Sequence, residues 1–422
     1  MHIVAINQVY RPSELATAQL LTELCEGLAA RGHRVTVVTA KIRPGDPADA
    51  MEHGVRVVRV GSTRFGKSSL VRRGVDYASF YLAAGRALAG LAARGDVDVY
   101  LPLTTPPLIA GWAQLFAAAR RTPVVSVVQD LYPDVAVSLG AVADGGAIHR
   151  AWALATRLSL GRTTRVVALS QAMAERIIQG YGVPAENVDV IANWALGELE
   201  SDAAGPAPSG REARFEYGLG ERFVVMYSGN MGAGHSFETL IGAAQRLRDR
   251  ADIAFAFVGD GVRRGEIERL TAGLPNVRMM PLAPRAKLAD SLAAGDLHAV
   301  TMRDGMDGLI VPSKLYGILA AARPVLSVGQ LHSDIAAVVR RAGAGHVVAN
   351  GDIDGAVQAI LAVRDAPDRG RALGLAGRAH LLAELGREAA IERYLQTLAH
   401  ATRPERARPA GRPRGAALAK GA

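Results

Sequence analysis

Residues 222–236 read RFVVMYSGNMGAGHS, and this stretch joins a strand to a helix through a glycine-rich turn. The apolar run Arg222–Ser228 has the length of a buried strand, and a helix is expected to begin near Phe237. Glycines let the backbone approach an anion closely, and the free N–H groups at a helix start point toward it. The stretch therefore predicts one unit of a parallel α/β sheet that cradles a phosphate, although a turn that only needs glycine is an equal alternative.

Apolar runs of strand length recur on both sides of this stretch, separated by segments with helical spacing. On the N-terminal side they are His2–Ile6, Arg34–Thr39, Val55–Val60, Asp98–Leu103, Pro123–Val128 and Arg165–Leu169. On the C-terminal side they are Ile253–Val258, Asn276–Met280, Leu297–Thr301, Pro324–Val328 and His346–Val348. Strands that are apolar on both faces are typical of parallel sheets covered by helices. The predicted fold class is α/β, with two Rossmann-like parallel-sheet domains facing a central cleft, where such sheets bind ligands.

Composition sets the predicted domain bounds. The segment 198–216 holds glycine, proline, serine and charges without a sustained period, as expected of an inter-domain linker. We predict an N-terminal domain (1–200), a linker (201–216), a C-terminal domain (217–385), a C-terminal helix packing back toward the N-terminal domain (386–401) and a disordered basic tail (402–422). The tail is rich in Arg, Pro, Gly and Ala, which cannot bury enough apolar surface to fold.

The net charge of +9 is spread unevenly along the chain. Six basic residues against Glu405 give the segment 403–420 a charge of +5, which leaves +4 for everything before it. The folded part is thus only mildly cationic, and no nucleic-acid-binding motif accompanies it. We therefore predict no nucleic-acid partner. The lone Cys25 excludes an internal disulfide, and no Cys/His spacing suggests zinc.

The first residues lack the basic start and long apolar stretch of a secretory signal, which predicts a cytoplasmic protein. The uncharged segment 101–119 is long enough for a membrane span, but its prolines favour a strand, a turn and a helix. A basic and then aromatic stretch could rest on anionic lipid at the inner face of the membrane, and a solvated loop beside a core helix is the alternative. That stretch comprises Arg64, Lys67, Arg72, Arg73, Tyr77, Phe80, Tyr81 and Leu82.

Two further loops follow strands of the C-terminal half and carry glycine and cations. Val258–Arg264 reads VGDGVRR, which puts Arg263 near the expected anion. In RDGMDGLIVPSKLY (303–316), Pro312 suits the first turn of a helix, which places Ser313 and Lys314 at its positive end. Each loop alone is also explained by a solvated cation in an ordinary turn. Three such loops at three strand ends together indicate a diphosphate site.

The third loop and the helix after it carry a family resemblance. The run GLIVPSKLYGILA (308–320), ending in RPVL (323–326), resembles bacterial family 4 glycosyltransferases of GT-B fold, especially those of colanic acid, O-antigen and capsule assembly. Blocks that also match are YSGNMG (227–232), VGDG (258–261), QDLYPD (129–134), NQVYRPSE (7–14) and RGHRV (31–35). The resemblance covers roughly residues 1–395.

The resemblance implies that the C-terminal domain binds a nucleoside-diphosphate sugar and the N-terminal domain a saccharide or lipid-linked saccharide acceptor. It further implies transfer with retention of configuration, no cofactor and no obligatory metal. This chain departs from the family pattern at a pair of glutamates, whose positions are Leu309 and Gly317, with Asp307 as a nearby substitute. The cations usual at the first loop fall on Asn230 and His235, so phosphate neutralisation would rest on Arg263, Lys314 and backbone dipoles.

These considerations give three sets of predicted site residues. The catalytic set is Asp130, Lys314 and Arg263. The donor-binding set is Gly229, Asn230, Gly232, Gly234, His235, Gly259, Asp260, Gly261, Leu282, Asp307, Pro312, Ser313 and Tyr316. The acceptor-binding set is Pro12, Ser13, Glu14, Gln129 and Tyr132. Ser13 is also a natural N-cap for the helix Glu14–Arg31, and Glu14 could serve only the helix dipole.

Other functions remain open at this point. A nucleotide-sugar epimerase of the same two-domain fold would bind the same donor. A dinucleotide oxidoreductase is disfavoured, because the first strand leads into Asn7–Pro12 without the Gly-x-Gly-x-x-Gly fingerprint. Asp96 and Asp98 spell an Asp-x-Asp metal motif but precede their strand, which puts them at the wrong end of the sheet.

Overall fold

The computed structural model describes residues 1–63, 70–197, 199 and 209–403 of the chain. Most of the predicted basic tail (404–422) and the first part of the predicted linker (201–208) lie outside these residues, as do Arg64 and Lys67. The later part of the predicted linker is not extended, because Arg211–Glu216 forms a helix. Ala213 of this helix is buried against the C-terminal sheet, so the chain is already part of that half at residue 213.

Eight strands form the N-terminal sheet. They are β1 (His2–Ile6), β2 (Arg34–Ala40), β3 (Asp49–Glu52), β4 (Val55–Val60), β5 (Val99–Pro102), β6 (Val125–Val128), β7 (Arg165–Ala168) and β8 (Val188–Val190). The order is β3-β4-β2-β1-β5 followed by β6-β7-β8, and a bridge between Tyr100 and Val124 joins the two parts. All pairings are parallel except that of β3 with β4. The sequence did not predict β3 and β8, which are short and partly exposed.

The helices of this half lie on both faces of the sheet. They are α1 (Ala16–Ala30), α2 (Leu70–Arg94), α3 (Ile109–Ala117), α4 (Asp134–Ser138), α5 (Ala147–Gly161) and α6 (Gln171–Tyr181). The prediction that Ser13 caps α1 is wrong, because the helix begins only at Ala16. The N–H of Ser13 closes a turn on the carbonyl of Tyr10 at 3.0 Å, and burial of Tyr10 in the core holds that turn.

Six parallel strands form the C-terminal sheet, in the order β11-β10-β9-β12-β13-β14. They are β9 (Phe223–Ser228), β10 (Ile253–Val258), β11 (Val277–Met280), β12 (Leu297–Thr301), β13 (Val325–Val328) and β14 (Gly345–Val348). The helices are α7 (Arg211–Glu216), α8 (Glu238–Arg246), α9 (Arg264–Leu270), α10 (Leu288–Ala293), α11 (Lys314–Ala320), α12 (Asp334–Arg341), α13 (Ile353–Arg364), α14 (Pro367–Glu384) and α15 (Arg387–Thr402).

The last helix, α15, returns to the N-terminal half. Ile391, Tyr394 and Leu398 are buried in the same core as the apolar face of α1. Gly27 of α1 lies so close to Ile391 that a side chain at position 27 would collide with it. The chain thus crosses between the halves twice.

A further core spans both halves and holds their facing loops together. It includes Leu131 and Ile177 from the N-terminal half and Leu309, Tyr316 and Ile335 from the C-terminal half. The loops that it joins follow strands β6 and β12, so the carboxyl ends of the two sheets face each other. This edge is where open α/β sheets bind ligands.

The uncharged segment 101–119 does not form a membrane-spanning helix. It contains the end of β5, a loop with prolines and the nine-residue helix α3. Within the described residues, no helix combines the length and apolar character needed to cross a bilayer.

Candidate active site

The three glycine-containing loops of the C-terminal half meet at the carboxyl edge of its sheet. A side chain at Gly259 would overlap the carbonyl oxygen of Gly229, and the φ of Gly259 is +142°. A Cβ at Gly234 would lie 2.7 Å from Ile310 of the third loop. Glycine at position 259 therefore permits backbone contact with the first loop, and glycine at position 234 leaves room for the Ile310 side chain of the third loop. This packing requirement holds whether or not an anion is bound.

Lys314 opens helix α11 and points back at the first loop. Its Nζ lies 3.7 Å from the centroid of the Tyr227 ring and donates a hydrogen bond to the Tyr227 hydroxyl. That hydroxyl donates in turn to the carbonyl oxygen of Asn230 at 2.7 Å. A Cβ at Gly229 would lie 3.8 Å from Nζ, so the ammonium reaches the turn itself.

The Lys314 side chain is half-buried, and no carboxylate in the described parts of the chain forms a salt bridge with it. Burial lowers the pKa of Lys314 well below its ordinary value of 10.5. An unpaired cation held in a desolvated position is stabilised by any anion that reaches it. The geometry of Lys314 is thus suited to a phosphate at the first loop.

Arg263 was predicted to flank the diphosphate together with Lys314, and in the structure it also has two carboxylate partners. Its guanidinium forms salt bridges of 2.5 Å with Glu238 and 2.8 Å with Glu266, and donates to the carbonyl of His235 at 2.7 Å. Burial alone would raise the pKa of Glu238, but the hydrogen bonds from Arg263 and neighbouring groups lower it to about 2. The charge of Arg263 is therefore compensated, and the side chain ties α8 to α9 beneath the first loop.

His235 adds no positive charge to the site. It is buried, and its Nδ1 lies 2.6 Å from the carbonyl oxygen of Thr301. Burial, together with Lys314, lowers the pKa of His235 to about 3, so the ring is neutral at physiological pH. The imidazole packs edge-on against Tyr227 with ring centroids 6.0 Å apart. Lys314 and Arg303 are consequently the cations of this loop cluster without a carboxylate partner within the described residues, and Arg303 is exposed, with its guanidinium 3.4 Å from the Ala233 carbonyl oxygen.

The remaining predicted donor residues occupy different parts of this edge. Asn230 and Asp260 are exposed, Pro312 and Tyr316 are buried, and Leu282 is 47% exposed in the loop after β11. Ser313 stands before α11 without a side-chain capping bond. A Cβ at Gly261 would lie 2.5 Å from the Met231 carbonyl oxygen, and one at Gly232 would lie 2.9 Å from Asn230 Nδ2.

Asp307, the predicted substitute for the missing glutamates, lies at the border between the halves. Its Oδ1 accepts a hydrogen bond of 3.2 Å from the N–H of Asp334 at the start of α12. Arg176 of the N-terminal half donates to the Asp307 carbonyl at 2.8 Å, and Asp334 accepts from the N–H of Ala172 at 3.2 Å. Burial and the neighbouring Asp334 raise the pKa of Asp307. The side chain thus takes part in the contact between the halves.

Asp130 lies across the cleft from the third loop, in the loop after β6. The backbone N–H groups of Gln129 and Asp130 donate to Thr104 Oγ1 at 3.2 and 3.3 Å. Burial raises the pKa of Asp130 to about 6. The side chain borders a mainly apolar cavity of about 30 Å³, which Leu103, Leu108, Val128 and Leu160 also line. A half-buried carboxylate with a raised pKa is suited to accept a hydrogen bond or a proton from a substrate hydroxyl.

The loops that carry the predicted acceptor residues are neighbours at the same edge. Gln8 donates to the carbonyl of Thr105 at 2.7 Å, so the loop after β1 adjoins the loop after β5. Pro12 and Glu14 are exposed, and Ser13 is half-buried. Tyr132 stacks on Trp152 of α5 with ring centroids 5.6 Å apart, which fixes its ring at the base of the loop.

The structure also shows site residues that the sequence did not single out. Tyr227 positions Lys314, and Thr104 orients the Asp130 loop. Tyr227 stands just before the glycine turn, which is the one signal that could have identified it. Asp98 accepts from the N–H of His2 at 2.6 Å, and Asp96 pairs with Arg34 at 2.9 Å, so both serve the opposite edge of the sheet. The described residues hold no cluster of His, Cys, Asp or Glu placed to share a metal ion.

Two facing parallel sheets, with a phosphate-type loop cluster on one and a carboxylate loop on the other, define a protein of GT-B fold. Comparison with family models agrees. Residues 17–194 match a glycosyl transferase 4-like domain, and residues 222–365 match the glycosyl transferases group 1 domain. The chain belongs to the family 4 glycosyltransferases. Both models describe glycosyltransferases, and neither supports the epimerase alternative.

Individual relatives share this architecture. The putative colanic acid biosynthesis glycosyl transferase WcaI of Escherichia coli K12 is 27% identical over 357 residues, covering 79% of this chain and 85% of the relative. Sucrose-phosphate synthase from Thermosynechococcus elongatus superposes with a TM-score of 0.73 at 18% identity, covering 95% of this chain and 98% of the other. HepE of Anabaena in complex with UDP gives a TM-score of 0.71 at 16% identity, covering 95% and 100%.

Proposed function

We propose that this glycosyltransferase moves a sugar from a nucleoside diphosphate, held by the C-terminal half, to a saccharide or lipid-linked saccharide held by the N-terminal half. The product would belong to a cell-surface polysaccharide, as the name of the relative WcaI suggests for that protein. The proposal rests on the position of Lys314. Its ammonium group lies at the junction of the glycine loops and has no carboxylate partner in the described residues. The HepE complex with UDP supports a nucleotide site in this fold.

The reaction is difficult because negative charge develops on the leaving diphosphate. The bond between the anomeric carbon and the phosphate oxygen breaks, and its electron pair leaves with the diphosphate. Lys314 and the N–H groups of the first loop and of the α11 start would stabilise that charge in place. The anomeric carbon then forms its new bond to the oxygen of an acceptor hydroxyl, which Asp130 would hold as a hydrogen-bond acceptor and whose proton the Asp130 carboxylate would take up. Retention of configuration and independence of metal are parts of this proposal.

Closure of the cleft would favour transfer over hydrolysis. The facing loops are already joined by the core that contains Leu131 and Leu309. Water that is kept out cannot compete with the acceptor hydroxyl, and the electrostatic interactions of the site strengthen.

The test is donor binding followed by transfer. Thermal shift with uridine-, guanosine- and adenosine-diphosphate sugars should identify one base that stabilises the protein, since a bound ligand raises the free energy of unfolding with its occupancy. Lys314→Ala should reduce both the shift and the transfer rate, the latter by about 100-fold or more. Lys287→Ala is the matched control, because that exposed lysine is paired with Glu212 and Glu216 away from the loops. A wild-type protein that responds to none of these donors would refute the proposal.

A further inference from the structure

The cavity that Asp130 borders lies beneath the loop after β6. Ser126 of β6 lines it from the sheet, and Ala110 of α3 and Leu160 of α5 line it from the helices. The cavity is not sealed. Its lining residues that are partly exposed are Thr104, Pro107, Leu108, Asp130 and Tyr132. The mouth of the cavity therefore lies beside the Asp130 side chain.

The size and the walls of the cavity limit what can occupy it. Its volume of about 30 Å³ is far below the roughly 150 Å³ of a cavity that holds benzene. The walls are mainly apolar, and the Thr156 hydroxyl among them is already engaged, because it donates to the carbonyl of Tyr132 at 3.1 Å. A water molecule needs two to four polar partners to stay in such a space. The cavity is therefore suited to a single methyl group.

Two polar groups at the mouth have opposite hydrogen-bonding roles. The Asp130 carboxylate only accepts hydrogen bonds, and it has two oxygens to do so. Thr104 Oγ1 accepts from the N–H groups of Gln129 and Asp130 at 3.2 and 3.3 Å. Its own O–H hydrogen has no acceptor among the described residues, so it remains free to donate. A hydrogen-bond acceptor and a hydrogen-bond donor thus stand together at the entrance to a methyl-sized space.

Leu108 is held at this mouth in a conformation that leucine rarely adopts. Its φ of +68° lies in the left-handed region, which is costly for a residue with a bulky side chain. The Tyr81 hydroxyl donates to the carbonyl oxygen of Pro107 and thereby fixes the turn before Leu108. Residues in such conformations cluster at ligand-binding sites. The position of Leu108 therefore indicates that its side chain contacts a ligand in the cavity.

We propose that the cavity receives the methyl group of an acetamido substituent on the acceptor sugar. The amide N–H would donate to one oxygen of Asp130, the acetyl carbonyl would accept from the Thr104 hydroxyl, and the methyl group would pack against Leu108. A 6-deoxy sugar also carries a methyl group, but it has no amide to match the two polar groups. The inference rests on the proposed function, because it names the acceptor of that transfer.

The same arrangement selects the hydroxyl that reacts. A hydroxyl on a carbon next to the acetamido group would reach the second oxygen of Asp130. In a 2-acetamido-2-deoxyhexose whose carbon 1 is already linked, that hydroxyl is at carbon 3. O3 would form the bond to the anomeric carbon of the donor, its proton would pass to Asp130, and the nucleoside diphosphate would leave with the bonding electron pair.

The experiment compares acceptors that differ only in the group at carbon 2. The probes are the methyl β-glycosides of N-acetylglucosamine and N-acetylgalactosamine, of glucose and galactose, of the two 2-butanamido analogues, and of the 6-deoxy sugar fucose. Saturation-transfer NMR with the full chain measures binding of each probe without donor. Release of nucleoside diphosphate from the stabilising nucleotide sugar then gives kcat/KM, and NMR of the product gives the linkage.

Three variants locate the effect. Leu108→Gly removes the side chain at the mouth, and glycine accepts the left-handed backbone without strain. Ser126→Val fills the cavity from the sheet side with a residue that strands favour. Arg121→Gly is the matched control, because Arg121 also has a positive φ, of +52°, but lies beyond the other end of α3. Circular dichroism melts show that each variant is folded.

In wild type, kcat/KM for an acetamido probe should exceed that for its hydroxyl counterpart by at least about tenfold, and the butanamido probe should be rejected. Ser126→Val should abolish this preference, Leu108→Gly should reduce it and admit the butanamido probe, and Arg121→Gly should leave it unchanged. The product should be linked at O3.

The inference is overturned if no probe binds, if acetamido and hydroxyl probes react equally, or if fucoside reacts as well as the acetamido probes. It is also overturned if the preference survives in both cavity variants. Probe binding by NMR needs no donor, and donor binding by thermal shift needs no acceptor. Failure of the acetamido site and failure of the proposed function therefore give different results.

Discussion

The backbone N–H of Leu131 donates a hydrogen bond of 2.9 Å to the carbonyl oxygen of Leu309. This bond runs across the cleft, and the neighbouring Asp130 and Ile310 form an antiparallel bridge beside it. Asp130 precedes Leu131 in the acceptor-side loop, and Lys314 follows Leu309 by five residues in the donor-side loop. The bond therefore joins the loop that carries Asp130 in the N-terminal half to the loop that leads to Lys314 in the C-terminal half.

Asp130→Asn should increase stability while it removes activity. Burial raises the pKa of Asp130 from 3.8 to about 6 in the folded protein. The folded state thus holds this proton more tightly than the unfolded state, and stability is lost as pH rises from about 4 through 6. At pH 7.5 the Asn variant should unfold at a higher urea concentration than wild type. Its free energy of unfolding should be larger by about 1–3 kcal/mol, since one pKa unit corresponds to about 1.36 kcal/mol. At pH 5 the gain should be clearly smaller.

The activity of wild type should fall as pH drops below about 6, because Asp130 then becomes protonated and no longer accepts the hydroxyl. Urea melts and initial rates over the same pH range measure both effects. A variant that keeps full transfer activity, or that is equally destabilised at both pH values, would contradict the role given to this carboxyl.

Gly259→Ala should disrupt the donor loops. The new methyl group would overlap the Gly229 carbonyl oxygen, and φ of +142° is strained for any residue with a side chain. We expect a loss of about 2 kcal/mol or more in the free energy of unfolding, together with weaker donor binding. Gly265→Ala is the control, because it lies in α9 with open space around it. That change should stabilise by up to about 1 kcal/mol. Equal effects of the two substitutions in urea melts would contradict this account.

Arg263→Gln should affect folding more than donor affinity. The arginine holds Glu238 and Glu266 together, and its loss leaves two carboxylates close to each other. The melting temperature should drop, and it should drop less at pH 4 than at pH 7, because protonation relieves the repulsion between the carboxylates. The dissociation constant for the nucleoside diphosphate should change less than about threefold. A large loss of affinity with an unchanged melting temperature would restore Arg263 to the phosphate site.

Donor binding should take up protons above neutral pH. The pKa of Lys314 is lowered by burial in the empty site, and an adjacent diphosphate raises it again. Calorimetry in two buffers of different ionisation enthalpy measures the uptake. Lys314→Met should remove it, and an uptake that persists in that variant would assign it to another group.

The sequence was sufficient for the fold because alternation of apolar runs with helical segments is set locally. Every predicted strand is present within two residues of its predicted ends. The short strands β3 and β8 were missed, since neither has a continuous apolar run. The helix Arg211–Glu216 was missed because its formation depends on packing against the sheet rather than on its own periodicity.

The site was only partly predictable, because charge partners come from distant parts of the chain. The sequence placed Arg263 near the expected anion but gave no sign of its partner Glu238, which lies 25 positions away. Tyr227 reaches Lys314 over a separation of 87 residues. The burial of Phe80 and the exposure of Leu115 depend on which side of each helix meets the sheet. Such relationships belong to the tertiary structure and have no local signature.

The central claim is that the C-terminal half holds a diphosphate through Lys314 and the glycine loops. Calorimetric dissociation constants for the preferred nucleoside mono- and diphosphate, in wild type and Lys314→Ala, test it most directly. Wild type should bind the diphosphate about 10–100 times more tightly than the monophosphate, the strength of a charge-assisted hydrogen bond. Lys314→Ala should lose most of this preference while its affinity for the monophosphate stays nearly the same. A preference that survives the substitution unchanged would contradict the account.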